Sequence, residues 1–363
     1  MRRLGKIVSQ LTASSRAMSR PTANDDGRLV PLTGFGSNPG DLDARIYLPA
    51  DAPGALVVVL HGCTQTAAGY DLGSGWSQLA ERHGFALLFP QQRRANNPNL
   101  CFNWFAPGDA RRGLGEALSI RQMIQHLAAK YRLESSQTFI TGLSAGGAMT
   151  SVMLASYPEL FAGGAVIAGL PFATANTVPE ALERMRGQGA PSRRELAARV
   201  LAATDHKGPG PTLSVWHGTQ DSVVEPSNAT ALVDQWRDLH GLGTTSGAVE
   251  TVQGHRREAW RDSGGRAVIE RYDIRGMGHG TPLDTSDGGC GVAGPHMLDV
   301  GICSTQLIAA SWGLVAHEAI KRESRSAPQQ RHADPTTAES PPTRSVGPAA
   351  VIEDALRSAG LMR

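Results

Sequence analysis

Apolar positions along the chain fall into short runs separated by amphipathic stretches, and the two kinds alternate. Residues 44–48 alternate apolar and polar side chains, as a half-buried strand does. Residues 55–60 are continuously apolar and rich in Val, which predicts a strand buried on both faces. A helix is expected over 75–83, closed by Gly84 just past its last turn. The next buried strand covers 85–89 and is expected to stop at Pro90. A loop dense in Asn, Pro and Gly spans 91–112. Leu114, Leu118, Met123, Ile124 and Leu127 then mark one face of a helix over 114–131. Strands at 138–141, 165–168, 213–217 and 267–272, with helices at 145–157, 226–240 and 305–320, complete the series. Strands alternating with helices predict an α/β fold, a mostly parallel sheet covered by helices on both faces. No internal repeat is visible.

Four segments organise the chain around that pattern. Residues 1–28 read as a mobile basic arm, because Arg2, Arg3, Lys6, Arg16, Arg20 and Arg28 face only Asp25 and Asp26. The catalytic domain is expected over 29–323. Within it, residues 171–210 stand outside the alternation and hold two amphipathic stretches near 181–186 and 195–203. Such an insertion either caps a site or decorates the surface. Residues 324–363 begin with a stretch rich in Ser, Thr, Pro and charge, expected to be disordered. They end in a short helical pattern carried by Ile352, Ala355, Leu356 and Leu361.

Composition narrows the function classes. The chain has 363 residues, 40% hydrophobic and 19% charged, with a net charge of +2. That is enough apolar material for one large core, and too little charge for nucleic acid to be the main partner. No apolar run reaches the roughly 20 residues of a membrane span. Residues 1–20 lack the apolar stretch of a secretory signal, so Arg2-Arg3 is not read as a twin-arginine export signal and a cytoplasmic location stays open. Four cysteines point the other way. Cys63 and Cys101 flank one part of the fold, and Cys290 and Cys303 close a short Gly-rich loop. An even count suggests two local disulfides and an oxidising, extracellular or periplasmic compartment. Four reduced thiols are the alternative, and a zinc site of Cys290, His296 and Cys303 has the wrong spacing and lacks a fourth ligand.

The sharpest chemical signal is Gly142-Leu143-Ser144-Ala145-Gly146, set between a strand and a helix. This is the G-x-S-x-G turn that lifts a nucleophilic serine to the top of an α/β-hydrolase sheet, at the positive end of a helix. Serine needs a base, and in this fold the order along the chain is Ser, acid, His. His279, in the glycine-rich loop after the last predicted strand, fits the base better than His61, His217, His255 or His296. Asp221, just after the strand at 213–217, fits the acid, with Asp205 and Asp273 as competitors less well placed against a strand end. An oxyanion hole requires two backbone N–H donors. Ala145, next to the nucleophile, is one; the other comes from the loop His61–Gln65, with Cys63 favoured over Gly62 and Thr64.

Leu60-His61-Gly62-Cys63-Thr64-Gln65, Asn103-Trp104-Phe105, Gly142 to Gly147, Ala168-Gly169-Leu170-Pro171 and His217-Gly218-Thr219-x-Asp221 together resemble the polyhydroxybutyrate (PHB) depolymerase family of esterases, which has feruloyl and acetyl-xylan esterase relatives. The resemblance runs from about Asp41 to Ile320. It implies an α/β-hydrolase fold, a Ser144–Asp221–His279 triad, an oxyanion hole from Cys63 and Ala145, and a Cys63–Cys101 disulfide. The expected activity is cofactor-free and metal-free hydrolysis of hydroxyalkanoate esters, with feruloyl or acetyl-xylan esters as the alternative. A non-catalytic binding protein on the same scaffold is the rival from another class. Neither an export signal nor a polymer-binding domain is visible, so small or oligomeric esters are the expected substrates. Trp104, Phe105 and Trp76 are the aromatic candidates for the substrate pocket, with core packing as the alternative for each.

Overall fold

A computed structural model of the chain describes residues 27–316, apart from 209 and 287. The expectations for residues 1–26, for the end of the helix at 305–320 and for the tail lie outside the described residues.

The strands are β1 (Val30–Pro31), β2 (Asp43–Tyr47), β3 (Leu56–Leu60), β4 (Ala86–Gln91), β5 (Thr138–Leu143), β6 (Gly163–Ile167), β7 (Thr212–Gly218), β8 (Ala248–Val252), β9 (His255–Arg261) and β10 (Ala267–Ile274). They form one sheet in the order β1-β2-β4-β3-β5-β6-β7-β10-β9-β8. The centre, β4 through β10, is parallel, and both margins are antiparallel. A second, two-stranded sheet pairs β11 (Thr281–Leu283) with β12 (Met297–Asp299).

The all-apolar run of β3 has a direct physical reason. Leu56, Val58 and Leu60 enter one core and Val57 and Val59 the other, since successive side chains point to opposite faces. On the first face lie α3 (Gly115–Tyr131), α4 (Ala145–Ser156) and α7 (Ser227–Arg237). Their Ile120, Met149 and Trp236 pack into that core. On the second lie α1 (Ala67–Ser74), α2 (Trp76–His83) and α8 (Ser304–Ser311), contributing Tyr70, Leu79 and Ile308. Helix α4 is buried along its whole length, which fits its lack of polar side chains beyond Ser and Thr.

Three local differences from the sequence pattern have physical causes. The helix at 75–83 is the second of a pair, because Gly75 at φ +75° ends α1 and begins α2. Strand β4 runs through Pro90, which pairs with Ala44. The β3–β4 pairing ends at Leu88, so the missing proline N–H interrupts a one-sided ladder only. The ribbon β8–β9 carries no apolar run. It is joined across strands by Arg257 to Glu250 and Glu270, and by Arg256 to Asp273. Among the described residues no helix is long and apolar enough to cross a membrane.

Candidate active site

Ser144 occupies the tight turn between β5 and α4, at φ 55° and ψ −117°. A non-glycine residue in that region stores on the order of 1–3 kcal/mol of strain. The surroundings hold it there. The Ser144 N–H donates to the Ile167 carbonyl at 2.9 Å, and the Ser144 carbonyl accepts from the Ala148 N–H at 2.8 Å. A Cβ at Gly142 would stand 2.5 Å from the Gly146 carbonyl, and one at Gly146 only 2.4 Å from the Leu60 carbonyl. The two glycines therefore let β3, β5 and α4 converge beneath the serine. Ser144 keeps 9% of its surface exposed, toward a cavity of about 170 Å³.

Asp221 and His279 arrive on neighbouring strands. Parallel pairing of β7 with β10 sets Gly218 opposite Ile274, so the loops that follow start side by side. Those loops are then joined by backbone bonds. Thr219 N–H donates to the Ile274 carbonyl at 3.0 Å and Gln220 N–H to the Met277 carbonyl at 2.9 Å. Gly218 is required at this junction, since a Cβ there would meet the Met277 carbonyl at 2.3 Å. The result is a 2.8 Å bond between His279 Nδ1 and Asp221 Oδ2. The other carboxylate oxygen, Oδ1, accepts from the Val223 and Val224 N–H groups, both at 2.9 Å.

Burial alone would raise the Asp221 carboxyl, which is 2% exposed. Hydrogen bonds from His217 and His279, attraction to His279 and the Val224 N–H outweigh it and hold the group well below the usual carboxylate range. An ionised carboxylate only accepts, so the His279 proton sits on Nδ1 and Nε2 keeps a lone pair for proton abstraction. His217 Nε2 lies 2.7 Å from the Val224 carbonyl and 3.4 Å from Asp221 Oδ2, a second imidazole contact to the acid.

The loop after β3 has three candidate oxyanion donors, and two are committed elsewhere. Gly62 N–H donates to Gln65 Oε1 at 2.8 Å, and Thr64 N–H to the Asn99 carbonyl at 2.6 Å. Among the described residues the Cys63 N–H has no protein acceptor, and Cys63 lines the cavity beside Ser144 and Ala145. Cys63 is disulfide-bonded to Cys101.

The family described as esterase PHB depolymerase matches residues 42–261. Poly(3-hydroxyalkanoate) depolymerase C of Paucimonas lemoignei is 42% identical over 294 residues, 79% of this chain and 70% of that protein. The chain belongs to the esterase PHB depolymerase family. It is a carboxylic-ester hydrolase of the serine type. Feruloyl esterase B of Talaromyces stipitatus is 33% identical over 270 residues, 71% of this chain and 74% of that protein. The acetyl xylan esterase from Aspergillus awamori, a solved structure, aligns with a TM-score of 0.67 at 24% identity, over 79% of this chain and 99% of that one. That likeness shows the α/β-hydrolase fold.

Two segments supply most of the remaining walls of the cavity. Trp104 and Phe105 line it from the loop that Cys101 anchors, together with Asn97, Asn99 and Asn103. Val178, Ala181, Leu182 and Met185 line it from α5 (Val178–Met185), within the 171–210 insertion. Their i, i+3, i+4, i+7 spacing is one apolar helix face. Thr177 caps that helix by accepting from the Glu180 N–H. Its last turn is tied toward the acid loop, where the Glu225 N–H donates to the Met185 carbonyl at 2.8 Å.

Trp76 takes no part in this cavity, which corrects its place among the pocket aromatics. It starts α2 on the opposite face of the sheet, 1% exposed, stacked on Trp312 and edge-on to Phe85. Asp273 is occupied by Arg256 and Arg271, and Asp205 is exposed, so neither approaches His279 as Asp221 does. His255 bridges the Val300 carbonyl and the Arg275 N–H. His296 stands edge-on to His279, 5.7 Å between ring centres, with Nδ1 3.1 Å from the His279 carbonyl. Cys290 and Cys303 are bonded to each other, which removes both thiols from the zinc alternative.

Sequence reading missed a buried acid. Glu116 on α3 accepts from Gln92 Nε2, from the Asn103 N–H at 2.8 Å and from Asn103 Nδ2 at 2.7 Å. Burial and nearby Asp109 push its carboxyl up to about 8 against those donors. No motif marks it; a lone Glu at an apolar helix position was the available signal.

Proposed function

We propose that this esterase cleaves hydroxyalkanoate esters by a two-step acyl transfer on Ser144. Two observations carry the reading: the 2.8 Å His279–Asp221 bond, and a strained Ser144 that opens into an apolar-walled cavity. In this reading Ser144 Oγ attacks the ester carbonyl carbon while His279 Nε2 takes its proton. The carbonyl oxygen becomes an oxyanion held by the Cys63 and Ala145 N–H groups. As the tetrahedral centre collapses, the C–O bond to the alcohol breaks and the imidazolium returns its proton to the departing oxygen. Water, deprotonated by the same imidazole, then attacks the acyl-enzyme; the acid leaves and Ser144 regains its proton. Asp221 keeps the imidazole in the productive tautomer and stabilises its charged form.

The 171–210 insertion serves as the cap of this site, since its α5 supplies the apolar face above Ser144. The identity to a poly(3-hydroxyalkanoate) depolymerase favours hydroxyacyl groups over aryl ones. The two disulfides favour action in an oxidising compartment, outside the cytoplasm. A hydrolysis panel tests the substrate: 3-hydroxybutyrate dimer and trimer esters, methyl ferulate and an acetylated xylose ester. Hydroxybutyrate oligomers should give the highest kcat/KM. A higher value for either of the other two would transfer the assignment to that class.

A further inference from the structure

His296 is not the base, and the proposed triad makes no use of it, yet the fold brings it against His279. Strand β11 starts two residues after His279 and pairs in parallel with β12, Thr281 opposite Met297. The Thr281 N–H donates to the His296 carbonyl at 2.8 Å. Gly280 permits the approach, because a Cβ there would stand 2.7 Å from that carbonyl oxygen. A tight turn delivers the side chain. Gly294 and Met297 exchange two backbone hydrogen bonds, at 3.0 and 2.9 Å, and enclose Pro295 and His296. His296 lies at φ 60°, in the left-handed region where the third position of a Pro-led turn favours Gly or Asn. An imidazole kept there against that preference points to a use for it.

The side chain meets His279 in two ways. A carbonyl oxygen can only accept, so Nδ1 of His296 carries a proton and donates it to the His279 carbonyl at 3.1 Å. The two rings also stand edge-on, 5.7 Å between centres and 77° between planes. Asp221 fixes Nδ1 of His279 through one hydrogen bond, and one bond leaves a ring free to rock about it. Contact with His296 restrains the same residue from a second direction.

We propose that His296 is a positioning residue, which keeps Nε2 of His279 turned toward Ser144 by gripping the His279 carbonyl and packing against its ring. The proposal rests on the Ser144 acyl-transfer reading. In that reading one placement of the imidazole must serve two transfers, from Ser144 Oγ to Nε2 and from Nε2 to the departing alcohol oxygen. A small misplacement therefore lowers turnover without weakening substrate binding. The pairing that carries His296 is itself anchored, since the buried Tyr70 hydroxyl lies 3.1 Å from Thr281 Oγ1.

The backbone at 296 suits Gly better than His, so the side chain can be removed without opposing the turn. His296→Gly should melt close to wild type and lose kcat by about tenfold, with KM changed less than about threefold. Its rate of inactivation by a fluorophosphonate, which reports activation of the serine without an ester, should fall in parallel with kcat. His296→Asn tolerates φ 60° and offers an amide N–H to the same carbonyl; it should keep roughly a third or more of the wild-type kcat. His296→Phe keeps a ring but donates nothing, and should be slower than His296→Asn by about threefold or more. A folded His296→Gly with kcat within twofold of wild type would overturn the proposal. So would an Asn variant as slow as the Gly one, or a loss that appears in KM with kcat unchanged. If the Gly protein does not fold, the Asn and Phe variants decide alone, and equal rates in those two would reject the carbonyl grip. Ser144→Ala in the same assay tests the underlying reading separately: if it stays active, the nucleophile is wrong whatever His296 does.

Discussion

The two halves of the proposed site are built by different means. On one side, His279 and Asp221 come from adjacent parallel strands, and backbone bonds at Gly218, Gln220 and Met277 join their loops. Strand register does the positioning, and the side chains need only the last few ångströms. On the other side, parallel pairing of β3 with β5 sets Leu60 opposite Gly142, but the Cys63 loop then meets the 96–105 segment, part of a long connection without regular structure. There a disulfide, the buried His61 imidazole and the buried Glu116 carboxyl tie the loop to a segment that no strand register holds. A sheet edge places groups on paired strands at little further cost. A group on a loop that packs against an irregular segment needs covalent and polar ties as well, each of which can be cut singly.

That difference predicts how the two sides fail. Removing the proposed base should be the most damaging change: His279→Ala should lower kcat on the order of 10⁵-fold, because a base and its nucleophile act as a unit. Asp221→Asn should cost on the order of 10⁴-fold, since the imidazole then loses its tautomer control. Both proteins should keep their fold, as the backbone bonds between the loops remain and an Asn at 221 keeps an oxygen for the Val223 and Val224 N–H groups. Steady-state kinetics on a nitrophenyl ester measures the ordering. An Asp221→Asn enzyme as active as wild type would move the acid role to another carboxylate.

The opposite side should fail by smaller steps. Replacing Cys63 and Cys101 by Ser should cost about 4 kcal/mol by chain entropy, for a separation of 38 residues. It should also lower kcat by about 10- to 100-fold, less than outright loss of a donor. The matching change at Cys290 and Cys303 opens a loop of separation 13. It should reduce stability by about 3 kcal/mol and leave kcat closer to wild type. Thermal melts and kcat on the two double variants test the contrast, and equal kcat losses would erase it.

The smallest expected effect is a pH dependence. Unfolded, the His61 imidazole takes its proton near pH 6.5; folded, it resists until about 4. Between those values the unfolded chain binds the extra proton, so stability falls as pH drops from 6.5 toward 4 and is unaffected above 6.5. The share is at most about 3 kcal/mol. Denaturant titrations should show a shallower loss over that window in His61→Asn than in wild type, and parallel curves would reject the neutral buried imidazole.

These contrasts also explain what the sequence made legible. Strand β3 was readable because burial on both faces forces every side chain to be apolar, and Ser144 because its turn excludes any Cβ at Gly142 and Gly146. The pairing of Asp221 with His279 was suggested by fold-level order along the chain. Helix α1 was hidden by Gly69 and Gly73, poor helix formers; a Cβ at Gly73 would meet Met297 at 2.6 Å, so packing outweighs propensity there. Strands β8 and β9 were hidden because their side chains are largely exposed or charged. The tie between Gln92 and His61 was invisible for another reason. Its donor is the Gln92 backbone N–H, 31 residues away, and a backbone group leaves no mark in residue type. Trp76 was misplaced because aromatic character alone does not say which face of the sheet a helix covers.

The most direct test of the account is to identify the residue that a fluorophosphonate labels. Mass mapping of the labelled protein should place the adduct on Ser144, with labelling and ester hydrolysis both abolished in Ser144→Ala. An adduct on any other residue, or a Ser144→Ala protein that still hydrolyses the ester, would contradict it.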